Sequence, residues 1–312
     1  MDKERIIKIG KEKFVVRFHR GYFPKTGRLH YVVQEIYSLE SPIKRMAHSF
    51  HDEPALIEYF PDGKVKVLAW YKFDKLHRDG NKPAKIVFDE NRNEKEIYFL
   101  KDGAYHRDKG PAIVKFDEKG KAIYLAWYKN GVLHSEGDKP AIVEISRIPQ
   151  CFKATFFWYR NNQRHREGIK PAYVEIKECK EEKKVIKRYF KYGVEFKKEF
   201  LERLLESPLK KETAERILME GNTQVRMAMI QTVGWGNLLR VLESKLLDKS
   251  EDGQYELLQF DGIFPIPMKV LKMRCPTVGV YYFVPVHPDC ETVQQALDFY
   301  YGGSRYNFIW EK

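Results

Sequence analysis

The chain has 312 residues, 43% of them hydrophobic, and carries 56 Lys and Arg against 44 Asp and Glu, a formal net charge of +12. That mix is the one an ordinary globular protein needs to bury a core, and it excludes a disordered chain. Residues Met1 to Gly10 are charged from the second position and lack a signal-like apolar core, and nowhere do about 20 apolar residues run together as a membrane helix requires, so a cytoplasmic protein without a membrane partner is expected.

The first predicted element is an irregular hairpin over residues 1–45, built on Lys13-Phe14-Val15-Val16-Arg17-Phe18 and Leu29-His30-Tyr31-Val32-Val33. From Met46 a single pattern recurs five times. Pro-Ala stands at Pro54-Ala55, Pro83-Ala84, Pro111-Ala112, Pro140-Ala141 and Pro171-Ala172, in steps of 29, 28, 29 and 31 residues. His48, His77, His106, His134 and His165 keep the same step. A fixed period of this size marks a repeat architecture, in which each unit is stabilised by its neighbours.

After each Pro-Ala the apolar residues alternate, as in Ala112, Val114 and Phe116 with Lys115 on the other side, which is the two-residue rhythm of a half-buried strand. A turn follows, such as Asp117-Glu118-Lys119-Gly120, and then an aromatic returning strand: Val67 to Tyr71, Ile97 to Leu100, Tyr124 to Tyr128, Thr155 to Tyr159. Each unit therefore reads as one hairpin, and one hairpin is marginal alone, so the units must pair edge to edge. A sixth, decayed copy begins at Tyr189, with Phe196 in the histidine place.

Beyond Phe196 the rhythm becomes helical, over Lys197 to Leu205, Lys211 to Met219 and Asn222 to Gly234. Strands are predicted at Tyr255 to Phe260, Met268 to Met273 and Gly279 to Val286. A closing helix starts at Thr292, which has capping-box spacing to Gln295, and stops at Gly302-Gly303. The predicted fold class is mainly β: an elongated single-layer antiparallel sheet of β-hairpin repeats over 1–196, followed by an α+β domain over 197–312.

Residues 127 to 141, aromatic-Tyr-Lys-Asn-Gly, then His, then Gly-Asp-Lys-Pro-Ala, resemble the membrane-occupation-and-recognition-nexus (MORN) class of hairpin repeats in its longer bacterial variants, over about 46–196. That resemblance implies a sheet for docking partners, not an enzyme. Residues 222–303 resemble a bacterial C-terminal domain family of unknown function, carried by Asn222, Val225, Arg226, Met229, Ile230, Gly234, Leu238-Leu239, Tyr282-Phe283-Val284-Pro285, Thr292, Ala296, Leu297 and Gly302. It departs at Phe299, where that pattern more often has Trp, and at His287-Pro288-Asp289. This second resemblance implies an α+β fold and no activity.

Candidate chemistry is sparse. Equivalent histidines two strands apart are separated by about 10 Å, too far to share one metal ion, and hydrogen bonding to turn carbonyls or to the next hairpin is the expected role. Cys151, Cys179, Cys275 and Cys290 form no close pairs in sequence, which predicts reduced structural thiols and no zinc. Carboxylate pairs such as Asp89-Glu90 and Asp117-Glu118 belong to turns. His287 with Cys290 is the one nucleophile-and-base pairing, and Cys290 stands just before a helix start, which explains it without catalysis.

The aromatic-basic steps Tyr71-Lys72, Tyr128-Lys129 and Tyr159-Arg160 are the predicted binding surface. The function read from these features is a non-enzymatic scaffold or regulatory subunit that docks a protein partner on the sheet and the C-terminal domain, with no cofactor and no metal. The alternative is single-stranded RNA or DNA on the basic aromatic sheet, where rings stack bases and cations meet phosphates.

Overall fold

A computed structural model describes residues 4–40, 44–134, 137–180, 182–261, 267–274 and 279–302. The chain is mainly β and divides into two compact units. Unit 1 holds residues 1–166 and 171–188, and unit 2 holds residues 167–170 and 189–312.

In unit 1 the long strands follow chain order across one antiparallel sheet, from Arg5–Ile9, Glu12–Tyr22 and Leu29–Ser38 through the repeat hairpins to Lys183–Lys191, whose end runs on into unit 2. The first hairpin of the array pairs Leu56–Tyr59 with Val65–Ala69. The third pairs Ile113–Phe116 with Ala122–Ala126, and the fourth Ile142–Ile148 with Cys151–Phe157.

Continuing those registers explains the Pro-Ala signature. Opposite each alanine on the neighbouring strand stands a large ring, so Ala55, Trp70, Ala84, Phe99, Ala112, Trp127, Ala141, Trp158 and Ala172 form one row that alternates small and large. Ala84, Ala112, Ala141 and Ala172 have no exposed surface at all. Their backbones lock the row, as Trp70, Phe99, Trp127 and Trp158 each donate an N–H to the following alanine carbonyl at 2.8 to 2.9 Å. The partition into a buried and a wet face is less sharp than alternation predicts, because Ile113 and Val114, on opposite faces, are both buried.

One expectation is corrected here: each unit contains two hairpins, not one. Beyond the large ring the chain forms a second, short hairpin, Tyr71–Lys72 with Lys75–Leu76, Leu100–Lys101 with Ala104–Tyr105, Tyr128–Lys129 with Val132–Leu133, and Tyr159–Arg160 with Gln163–Arg164. Both central turn residues take positive φ: Asp102 at 50° with Gly103 at 86°, Asn130 at 51° with Gly131 at 78°, and Asn161 at 49° with Asn162 at 63°. That is the type I′ turn that two-residue loops favour, and Asn, Asp and Gly are the residues that tolerate it.

The short hairpins bond to one another in a second stack. Gly103 N–H donates to the Leu76 carbonyl (2.9 Å) and Gly131 N–H to the Tyr105 carbonyl (2.8 Å). Tyrosines from this stack, Tyr105, Tyr128 and Tyr159, pack on Ile113, Ala126 and Leu133.

A second correction concerns cysteine. Cys151 and Cys179 stand directly opposite each other on adjacent strands, with Cα atoms 4.2 Å apart, and form a disulfide. Cys290 is free and buried, and Cys275 lies outside the described residues.

Unit 2 contains a four-stranded antiparallel sheet, Lys245–Lys249, Tyr255–Phe260, Met268–Arg274 and Tyr281–Val286, in that order. Among its described residues are α1 (Lys198–Leu204), α2 (Lys211–Leu218), α3 (Thr223–Val233), α4 (Trp235–Arg240) and α5 (Val293–Tyr301). The predicted caps are present: the Asn222 side chain accepts from Val225 N–H, Gly234 stops α3 at φ 80°, and Thr292 with Gln295 completes a capping box. Because side chains alternate, Leu257 and Leu271 pack toward α5, while Phe260 and Val270 join the core of α1 to α4. Both α4 and the strand Lys245–Lys249 escape the helical and alternating patterns read from the sequence.

Candidate functional site

Three of the repeat histidines bond the unit that follows them. The Nδ1 atom of His48 accepts the N–H of Phe73 (3.3 Å), that of His77 the N–H of Asp102 (3.0 Å), and that of His106 the N–H of Asn130 (3.1 Å). Each imidazole therefore holds the type I′ turn of the following unit, through an amide N–H and not through a turn carbonyl. With Nδ1 accepting, the neutral ring carries its proton on Nε2, which at His77 and His106 faces Asp79 and Asp108 at 3.1 Å. Burial, and then the charge of Lys72, push the pKa of His48 below the usual imidazole value.

The residue after the histidine supplies a second clamp that the repeat pattern did not disclose. The Arg78 guanidinium lies 3.7 Å over Trp70, donates to the Pro83 carbonyl, and grips Asp52 of the preceding unit through Nε (2.7 Å) and Nη2 (3.1 Å). Arg166 repeats the arrangement over Trp158 with Asp138, and Arg107 over Phe99 with the Asn81 side chain. Paired to Arg78 and Lys82, the Asp52 carboxyl sits well below the usual carboxylate range. The signal was present in sequence as a cation after the histidine and Asp or Asn four places after the preceding histidine. At the third-to-fourth boundary both vanish together, with Gly110 and Ser135 in those places.

The aromatic-basic residues fall on the short hairpins. Lys72, Lys129 and Arg160 are exposed at the turns, whereas Tyr71, Tyr128 and Tyr159 are half-buried. Tyr128 and Tyr159 are packed against the Ile113 cluster, and the Tyr105 and Tyr128 rings lie 5.3 Å apart. Burial raises the pKa of Tyr71 and Tyr128 above the usual phenol value. The exposed cations beside these half-buried rings can pair with anions.

The apolar side of the sheet presents a different surface. Ile57, Leu68, Ile86, Ile97, Val114, Leu125, Val143, Phe156 and Val174 lie directly opposite one another on successive strands. Except for Val114 and Val143, which are buried, all are half-buried in a sheet of one layer. Beside this row opens a trough of about 1020 Å³ whose lining includes Phe60, Phe88, Phe116, Lys66, Lys95 and Arg147. Its acids do not converge for catalysis. Asp89 accepts the N–H groups of Asn91 and Asn93, and Asp117 those of Lys119 and Lys121, so these carboxylates close turns and are held below their usual pKa by those bonds.

In unit 2 the Cys290 thiol is buried, and burial raises its pKa, which disfavours the thiolate a nucleophile needs. Among the described residues no group of three His, Cys, Asp or Glu side chains is placed to hold a metal ion. Among the described residues no helix is long and apolar enough to cross a membrane.

No protein family, no curated protein and no solved structure matches this chain.

Proposed function

We infer that this protein is a non-enzymatic docking module that holds a protein partner on its repeat sheet, in the manner of a MORN-style scaffold, with the C-terminal unit as a second docking element. The observation that carries this reading is the row from Ile57 to Val174, an apolar stripe of one residue per strand in a single-layer sheet. Half-buried aliphatic area of that extent is a costly surface to leave in water, at about 25 cal/mol per Å², and a partner that covers it recovers that free energy. The repeated clamps support the reading from another direction, since they spend polar side chains on joining units instead of on a reaction.

The test is affinity capture with the full chain, followed by identification of the retained partner and its stoichiometry. Ile97→Glu with Leu125→Glu places two charges in the middle of the stripe and should abolish retention, while Lys72→Glu with Lys129→Glu should leave it intact. Retention lost only with the lysine pair, together with release by single-stranded RNA, would replace this reading by the nucleic-acid one.

A further inference from the structure

We propose that the extended end of the fourth and fifth hairpins is a recognition surface for an acidic segment of the docked protein, read by Lys153, Lys177 and Lys184. The strands here run seven residues, Ile142–Ile148, Cys151–Phe157 and Tyr173–Cys179, where those of the first three hairpins that follow Pro-Ala run four. The added length lies at the end away from the His and Arg clamps, so joining the repeats does not require it. At this end Lys153 stands directly opposite Lys177, and Lys177 directly opposite Lys184, on three hydrogen-bonded strands.

Like charges directly opposite each other in a sheet are destabilising, and the Cys151–Cys179 disulfide, one cross-strand pair beyond Lys153 and Lys177 on the same face, holds that register. Compensation from the chain is thin: Glu175 meets Lys153 at 2.9 Å and is shared with the Tyr173 hydroxyl, while Lys177 and Lys184 are exposed. Half of the chain's net positive charge lies here, in residues 151–188, which hold eleven Lys and Arg against five Asp and Glu. The other half is in residues 1–50, which also hold eleven against five, whereas residues 51–150 hold eighteen against seventeen.

The ligand chemistry follows from the neighbours of the row. Nucleic acid would want a ring free to stack, yet the rings that share this face on the Lys153 and Lys177 strands, Phe157 and Tyr173, pack edge to face on each other at 5.3 Å. Carboxylates on alternate residues of an extended peptide lie about 7 Å apart, within reach of flexible lysine arms mounted about 5 Å apart on adjacent strands. An acidic peptide therefore fits better than a phosphate backbone.

This inference rests on the protein-docking reading above. The experiment is fluorescence anisotropy of the oxidised full chain with a labelled Glu/Asp-rich peptide, an uncharged Gly/Ser peptide and a single-stranded oligonucleotide. The acidic peptide should bind best, weaken with added salt, and lose about tenfold or more in affinity to the chain carrying Lys153→Glu, Lys177→Glu and Lys184→Glu. Lys184→Glu alone, at an exposed position, serves if the triple variant fails to fold, and should give a smaller loss. Equal peptide binding by the variants, no binding of the acidic peptide, or tighter binding of the oligonucleotide overturns the proposal. A captured partner that is lost with Ile97→Glu and Leu125→Glu but kept by the triple lysine variant leaves the docking reading standing and removes this one.

Discussion

Ala84, Ala112, Ala141 and Ala172 are fully buried because a Trp, Phe or comparable ring fills the space opposite each of them. Replacing Ala112 by Leu forces extra methylene groups against Phe99 and Trp127 and should cost about 1–3 kcal/mol, measured as a lower denaturation midpoint at unchanged slope. His48 gives the residue scale its pH dependence. The unfolded chain takes up a proton near pH ~6.5 that the folded chain resists, so the stability contribution is complete above that pH and is lost as pH falls below it. His48→Gln should flatten the stability profile in that acid window and leave the neutral side nearly unchanged. The Pro-Ala pairs were plain in the sequence; their reason was not, because it depends on which residue the neighbouring strand places opposite.

At the scale of elements, His48, His77 and His106 each couple their unit to the next by one imidazole, and at three boundaries a guanidinium does so too. Removing the acceptor in His77→Ala leaves the Asp102 N–H without its partner and should cost about 1 kcal/mol, read by thermal unfolding. The disulfide joins neighbouring long hairpins across a sequence separation of 28 residues. Cys151→Ser with Cys179→Ser should lower stability by about 2–4 kcal/mol, and added reductant should then change the wild-type midpoint but not that of the variant. The type I′ turns at Asn130-Gly131 and Asp102-Gly103 were visible as turn signals, yet reading one hairpin per unit missed that the aromatic strand breaks and turns twice. The cause is physical: after the large ring the strand leaves the main ladder, and only two residue pairs remain on each short hairpin, too few for alternation to register.

For the whole molecule, the fold was legible in its class. Repetition, alternation and turn chemistry together predicted a mainly β chain of antiparallel hairpins with a helix-and-strand C-terminal part, and that is what forms. In unit 2 a sheet carries a core on each face, and Leu271, with no exposed surface, belongs to the α5 side. Leu271→Ala should cost about 2–5 kcal/mol in the unfolding of that unit, followed by hydrogen exchange of the strands Tyr255–Phe260 and Met268–Arg274. The candidate binding surfaces were legible only in part. The Tyr-Lys steps could be seen as a recurring pair of residue types, but whether a given ring lies open or packed depends on the neighbouring unit, and Tyr128 and Tyr159 are packed by theirs.

By itself the sequence determined the period, the strand-turn-strand rhythm within each unit and the change to helical spacing after Phe196, because these are local properties of backbone and side chain that need no knowledge of distant residues. Only the tertiary structure decided the rest: that Cys151 meets Cys179, that three lysines line up across three strands, and that His48, His77 and His106 accept from the following unit. Each is a matter of register between segments far apart in the chain, and register is set by the summed packing of whole strands, which no single residue carries.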